Sequence, residues 1–224
     1  MNPQVSLLET VAAGFGELLE KVVFVGGIVT SLYMDSPSAS EPRPTEDVDC
    51  VVEALTYHEY GEFEQLLRKK GFLDDSSPGA PVCRKVFKGI KVDIMPTKPE
   101  AVGFSNRWYP EGARQRVRHE LPSGTLINIF SLPFFIASKL EAFLSRGRID
   151  PRQSSDLEDV ILVLDGCTDP ARHLDKLDED VRLFVRGVIE DFRPGDFREV
   201  VGSCLEREAI SRVERIEWIF RKYF

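Results

Sequence analysis

VVFVGGIVTSLYMDSPSASEPRPTEDVDCVV, residues Val22 to Val52, decides the fold. Four apolar residues, Val22–Val25, run into Gly26-Gly27. The run is short, mostly β-branched and stopped by glycine, which predicts a buried strand. A Ser- and Pro-rich insert follows. Then Arg43-Pro-Thr45-Glu-Asp47-Val-Asp49 leads into Cys50-Val51-Val52, a second strand. Asp47 and Asp49 stand two apart on it, and strand side chains alternate faces, so both carboxylates point the same way. Two same-face carboxylates on an apolar strand repel each other and are costly to desolvate. A bound divalent cation would remove both penalties. Before the insert, the glycine pair lets backbone approach a ligand closely. The N–H groups and positive dipole end of a helix expected to start near Ile28 would favour phosphate.

The bounds on the whole chain are ordinary. At 224 residues and 25.4 kDa it is long enough for one large domain or two small ones. With 42% hydrophobic and 29% charged residues it reads as a soluble globular protein. MNPQVSLLETVAAGFGELLEK carries no positive leader, and acids interrupt its apolar pattern, so neither a signal peptide nor a membrane span is expected. Leu7, Val11, Phe15, Leu18 and Val22 recur at helical spacing and predict an amphipathic first helix. Four scattered cysteines and three isolated histidines give no zinc spacing, and reduced thiols in the cytoplasm are the expectation. A net charge of −8 argues against a dominant nucleic-acid surface while leaving room for a local basic groove.

Further along, Pro37 to Pro44 reads as a loop, either a flap or a surface insertion. Thr56-Tyr-His-Glu59 is a capping box opening a helix that stops at Gly71. Residues 82–95 read as two strands joined around Lys88-Gly89, the second placing Asp93 among Val92, Ile94 and Met95. Lys91 shares a face with Asp93, so a solvent-facing role for Asp93 stays open. Phe104 to Tyr109 (FSNRWY) is an aromatic loop, for packing or base stacking. Arg114, Arg116 and Arg118 alternate; on a strand they would form a cationic row for triphosphate or an RNA backbone, or a solvated face. Thr125 to Phe130 supplies another strand. From Ser131 the pattern is helical to the end, with Ser131 and Pro133 opening one helix and a capping box at Ser155-Asp-Leu-Glu158 opening the next. Asp178 to Arg193 and Leu205 to Tyr223 are two more amphipathic segments.

The order strand, Gly-Gly, spacer, R-x-T-x-D-x-D resembles the nucleotidyltransferase superfamily that includes DNA polymerase β. Within it, the pattern looks most like the minimal nucleotidyltransferases and AbiEii-type abortive-infection toxins. The resemblance implies that Asp47 and Asp49 hold Mg²⁺ or Mn²⁺, and that Asp93 is the third acid carried by the strand after the D-x-D hairpin. Gly26 and Gly27 would cradle phosphate, Arg43 would neutralise its charge, and Thr45 and Asp156 would belong to the same nucleotide-binding set. Where relatives often carry Ser, this chain has its second Gly, so a hydroxyl contact would come from Thr30 or Ser31. Lys139-Leu-Glu-Ala-Phe-Leu-Ser-Arg146 with Asp156 matches the K-L-x-A-x-x-x-R helix and following Asp of AbiEii-like proteins. Lys139 would neutralise phosphate charge as a point cation.

The expected architecture is α/β (α+β): a nucleotidyltransferase-like mixed sheet with flanking helices over residues 1–130, and a helical C-terminal region, 131–224, closing the cleft. The implied reaction moves NMP from an NTP to an acceptor hydroxyl and releases pyrophosphate. The acceptor is an RNA or tRNA end, a protein or a small molecule, with a cognate antitoxin as a possible partner and no membrane. The rival readings are an antibiotic adenylyltransferase and a non-catalytic binding partner built on the same fold.

Overall fold

The computed structural model describes residues 3–53, 56–98, 106–193, 195–205 and 210–224. Its order starts with helix α1 (Pro3–Phe15), strands β1 (Val22–Val25) and β2 (Asp47–Val52), then α2 (Tyr57–Lys69). Strands β3 (Leu73–Asp74), β4 (Arg84–Phe87) and β5 (Ile90–Pro96) follow, then α3 (Tyr109–Arg114), β6 (Val117–Glu120) and β7 (Leu126–Ile129). The rest is helical: α4 (Leu132–Arg146), α5 (Ser155–Gly166), α6 (Ala171–Leu174), α7 (Glu179–Glu190), α8 (Asp196–Cys204) and α9 (Ile210–Tyr223). The chain forms two compact units, Met1–Val29 with Pro44–Phe130, and Thr30–Arg43 with Ser131–Phe224.

The first unit is a seven-stranded mixed sheet of order β3-β4-β5-β2-β1-β7-β6. All four residues of β1 are buried, and it lies antiparallel to β2 and parallel to β7. β2 is parallel to β5, which pairs antiparallel with β4. Lys88 and Gly89 both adopt positive φ, 50° and 81°, the turn whose twist matches a two-residue hairpin. That turn sets Phe87 opposite Ile90 and fixes the register back to Arg84 opposite Asp93. Phe24, opposite Cys50, and Phe87, opposite Ile90, point to the sheet face away from Asp49 and Asp93. There Phe15, Phe72 and Phe87 stack with ring centroids 4.7 and 4.3 Å apart, and Phe24 meets Phe15 edge-on. The apolar side of the sheet is thus filled by α1 and its aromatic neighbours, which leaves the acids on the other side. α2 begins with the expected reciprocal cap: Glu59 N–H donates to Thr56 Oγ1, and Thr56 N–H to Glu59 Oε2.

The second unit packs α4 and α5, both buried along most of their length, with α7, α8 and α9. Rings of Phe143, Phe192, Phe197, Phe220 and Phe224 follow one another at 5.2 to 5.9 Å. Residues 30–43 are tied into it. Asp35 and Ser36 N–H donate to Gly166 O, Thr168 N–H and hydroxyl donate to Asp35, and Arg212 donates to Ser40 Oγ at 3.1 Å. The Ser/Pro segment is therefore anchored just before it, at Asp35 and Ser36, and again within it at Ser40.

Four sequence expectations are corrected. The stretch after Gly26 is a 3-10 helix, Gly27–Tyr33, and not an α-helix. α1 ends at Phe15 because Gly16 takes φ 54°, so Leu18 and Val22 lie beyond it, and Leu8 rather than Leu7 is the buried position. Ser154, one residue earlier than expected, caps α5 by accepting from Leu157 N–H. The arginine row does not exist. Arg114 ends α3 and pairs with Glu111, Arg116 donates to Ala113 O, and Arg118 alone is on β6, paired with Glu20. Beyond these, α8 lies between the two expected C-terminal segments, and the second of them holds α9. Of FSNRWY, Phe104 and Ser105 lie outside the described residues.

Candidate active site

β2 is the central strand, and its acids sit at the end nearest Gly26. Val25 pairs with Asp49, Asp49 with Asp93, and Asp93 with Arg84, so four strands contribute one row across the sheet. Directly opposed residues project to the same face. Asp47, two residues before Asp49, shares that face. Carboxylate oxygens of Asp47, Asp49 and Asp93 all lie within 4.8 Å of one another. Gly26, at φ 74°, makes the close approach possible, because a β-carbon there would lie 2.0 Å from Asp49 Oδ2. No side chain other than hydrogen fits.

Asp93 is nearly buried, and Arg84 grips it with a two-pronged fork: Nε to Oδ1 and Nη2 to Oδ2, each 2.7 Å. Nη2 is also 3.9 Å from Asp47 Oδ2. The hydrogen bonds to Asp93 drive the Arg84 pKa above its already high value, so the guanidinium is a permanent cation here. Burial, followed by the charges of Asp49 and Asp93, pushes the Cys50 thiol well up. Cys83 rises to about 11, chiefly through burial and then Asp93. Both stay thiols at neutral pH, which disfavours cysteine nucleophilic chemistry at this site. A set of three carboxylates offers only hard oxygen donors, at a spacing an ion with oxygen ligands about 2.0–2.6 Å away can bridge. The triad could hold a divalent metal such as Mg²⁺ or Mn²⁺.

No protein-family model matches the chain, and no curated protein sequence matches it. Solved structures do. An antigenic nucleotidyltransferase-like protein from Paracoccidioides brasiliensis aligns over 92% of this chain and 95% of its own, with TM-score 0.51 and 17% identity. The fold is nucleotidyltransferase-like. Two structures of the antibiotic-resistance factor ANT(2'')-Ia share it. The solution structure has TM-score 0.51 at 15% identity over 84% of this chain and 93% of that one. The complex with adenylyl-2''-tobramycin has TM-score 0.50 at 16% identity over 85% and 99%.

On this nucleotidyltransferase-like sheet the three acids expected from sequence stand together with Gly26. Gly27 is buried as the first residue of the 3-10 helix. Thr45 is half-buried in the irregular segment before β2. Thr30 is fully buried, and its hydroxyl has no hydrogen-bond partner among the described residues.

The remaining candidates gather in the helical unit. Lys139, only 6% exposed, has its amine 3.3 Å from Asp156 Oδ1 and 2.6 Å from Asp159 Oδ2. The approach to Asp159 is close but off the hydrogen-bond direction. Arg146 forks Asp156 through Nε and Nη2 at 2.7 and 2.8 Å, and Arg43 Nε is 4.0 Å from Asp159 Oδ1. Burial works to raise the Asp156 pKa, but the Arg146 hydrogen bonds and the Lys139 charge outweigh it and hold the carboxyl below its ordinary value.

Two residues escaped the sequence reading. Arg84 was recoverable, since counting back from a two-residue turn at Lys88-Gly89 sets it opposite Asp93. Asp159 lies one turn after Asp156 on α5, at the i, i+3 spacing that puts both on one helix face.

Proposed function

We propose that this protein is a metal-dependent nucleotidyltransferase that moves NMP from an NTP to an acceptor hydroxyl and releases pyrophosphate. The observation that carries the reading is the convergence of Asp47, Asp49 and Asp93 from two adjacent strands beside a glycine with no room for a side chain. A divalent cation bound there would supply Lewis acidity for the transferred phosphoryl group and would make the acceptor hydroxyl easier to deprotonate. Asp47, Asp49 and Asp93 would hold that ion, and Asp93 would also help take the acceptor's proton. Gly26 and Gly27 offer backbone at the phosphate end. Arg43, Thr45, Thr30, Lys139 and Asp156 are proposed nucleotide contacts by their match to the family pattern.

The motif resemblance supports the AbiEii-type branch, with an RNA end or a protein as acceptor, a cognate antitoxin as partner and the cytoplasm as location. Among the described residues no helix is long and apolar enough to cross a membrane. A second reading is antibiotic adenylylation. It is favoured by the loss of the arginine row, which removes the proposed track for a polyanion, and by the net charge of −8, which suits a cationic acceptor. The likeness to ANT(2'')-Ia supports it at the level of fold.

The test is a mass-spectrometric search for NMP adducts after incubation with mixed NTPs and Mg²⁺, in parallel with cell RNA, lysate protein and an aminoglycoside panel. Transfer that disappears in Asp49→Asn supports the assignment, and the arm that gains mass names the acceptor. No adduct in any arm, or equal adduct with Asp49→Asn, rejects it.

A further inference from the structure

Arg84 holds a position that a metal centre would contest. Its fork takes one hydrogen bond to each oxygen of Asp93, and the same Nη2 leans toward Asp47. Three clustered carboxylates without a cation would repel one another, and here a guanidinium offsets part of that charge. A divalent ion that uses an Asp93 oxygen must approach a positive group 2.7 Å from that oxygen. Arg84 is anchored by its backbone in the β4–β5 ladder, yet its side chain keeps 20% exposure. The fork can turn without moving the strand. Guanidinium binds phosphate oxygens in the same bidentate geometry it uses for carboxylate.

We propose that Arg84 is a resident counter-ion of the acidic triad that exchanges partners during nucleotide binding. Without a divalent cation it clamps Asp93 beside Asp49. When cation and triphosphate enter together, the cation takes Asp93 and Arg84 passes to a phosphate oxygen. The inference rests on the metal-dependent reading above and adds to it a positioning residue with two alternative partners. It also gives nucleotide and metal a reason to bind cooperatively, since each relieves what the other displaces.

The sign of the effect separates this from a structural role. A merely structural Arg84 would, when removed, loosen the triad and weaken every ligand. A resident counter-ion, when removed, stops competing with the metal. Mn²⁺ alone is titrated into wild type, Arg84→Gln, Arg84→Lys, Asp93→Asn and the Arg84→Gln/Asp93→Asn pair, followed by electron paramagnetic resonance. Arg84→Gln should bind Mn²⁺ roughly tenfold tighter, Arg84→Lys should stay near wild type because it keeps the charge, and the gain should vanish when Asp93 is already Asn. A non-hydrolysable NTP analogue with Mn²⁺ should bind Arg84→Gln more weakly than wild type. Asp49→Asn, titrated alongside as the control for the metal centre, should lose Mn²⁺ binding; with that loss seen, unchanged or weaker Mn²⁺ binding in Arg84→Gln overturns the inference. If wild type and all variants bind no Mn²⁺, both readings fall. A readout free of substitutions is the Arg84 Nε–H NMR signal of wild type. It should shift and exchange faster when Mg²⁺ and the analogue are added, and a signal that stays put also overturns the exchange.

Discussion

Gly26 and Asp49 are fitted to one another: a β-carbon on Gly26 would lie 2.0 Å from Oδ2 and 2.8 Å from Cβ of Asp49. The second distance is the decisive one, because Cβ cannot move without moving β2. Gly26→Ala therefore combines a left-handed backbone, worth about 1–3 kcal/mol against a non-glycine residue, with a displaced carboxylate. Denaturant unfolding should show a loss of about 2 kcal/mol or more, with weaker Mn²⁺ binding in the same preparation. Wild-type stability and wild-type Mn²⁺ affinity in the alanine variant would contradict this geometry.

Asp47→Asn and Asp49→Asn should separate function from folding. Each removes one of three clustered negative charges, so repulsion falls and stability should change by less than about 0.5 kcal/mol or rise. Calorimetry should show weaker metal-dependent nucleotide binding, and turnover should fall on the order of a hundredfold or more, a loss typical of a preorganised electrostatic group. A variant that melts early, or that binds metal and nucleotide as wild type does, argues against these ligands.

Lys139 carries structural weight that a pure phosphate contact would not. Its amine lies between Asp156 and Asp159, both almost fully buried. Removing one partner of a buried ion pair typically costs about 3–5 kcal/mol, because the remaining charges are left uncompensated. Lys139→Met should lower the melting temperature clearly, and adding Asp159→Asn should recover part of the loss. The double variant is the check: if it is less stable than Lys139→Met, the pairing is not what holds this site.

Asp156 gives a pH dependence with a definite sign. Its pKa in the fold is depressed below 3.8, since the Arg146 hydrogen bonds and the Lys139 charge overcome the opposing effect of burial. The stabilisation is therefore fully present above the unfolded value and is lost as pH falls through the folded one. Thermal unfolding between pH 3 and 6 should show wild type losing stability below about pH 4. Asp156→Asn should start lower and lose less over that window. Parallel curves for the two proteins would refute the linkage.

The sheet was legible because its signals are local. The β-branched run of β1, the Asp-Val-Asp alternation of β2, the Lys88-Gly89 turn and the Thr56/Glu59 cap each announce themselves within a few residues. The three acids were legible for the same reason, as carboxylates set in apolar strands. Arg84 was missed, because its meaning emerges only when the register is counted back from the Lys88-Gly89 turn to a partner nine residues away. The arginine row failed for the opposite reason. Period-two spacing at 114, 116 and 118 mimics a strand, but the α3 turn ends at Arg114 and only Arg118 enters a ladder. Ser154 and Ser155 compete for one cap, and sequence alone gives both the same chemistry.

The parallel pairing of β1 with β7 carries a consequence for how the chain is made. Asn128 Nδ2–H donates to Val22 O, 106 residues earlier, and Val23 stands opposite Asn128 in the ladder. Until the ribosome has released β7, one flank of β1 is an unpaired, wholly apolar edge. At about 5–20 residues per second that interval lasts several seconds. Such an edge is a template for pairing with another nascent chain, so the protein's yield in a cell should depend on chaperone supply more steeply than its equilibrium stability would suggest.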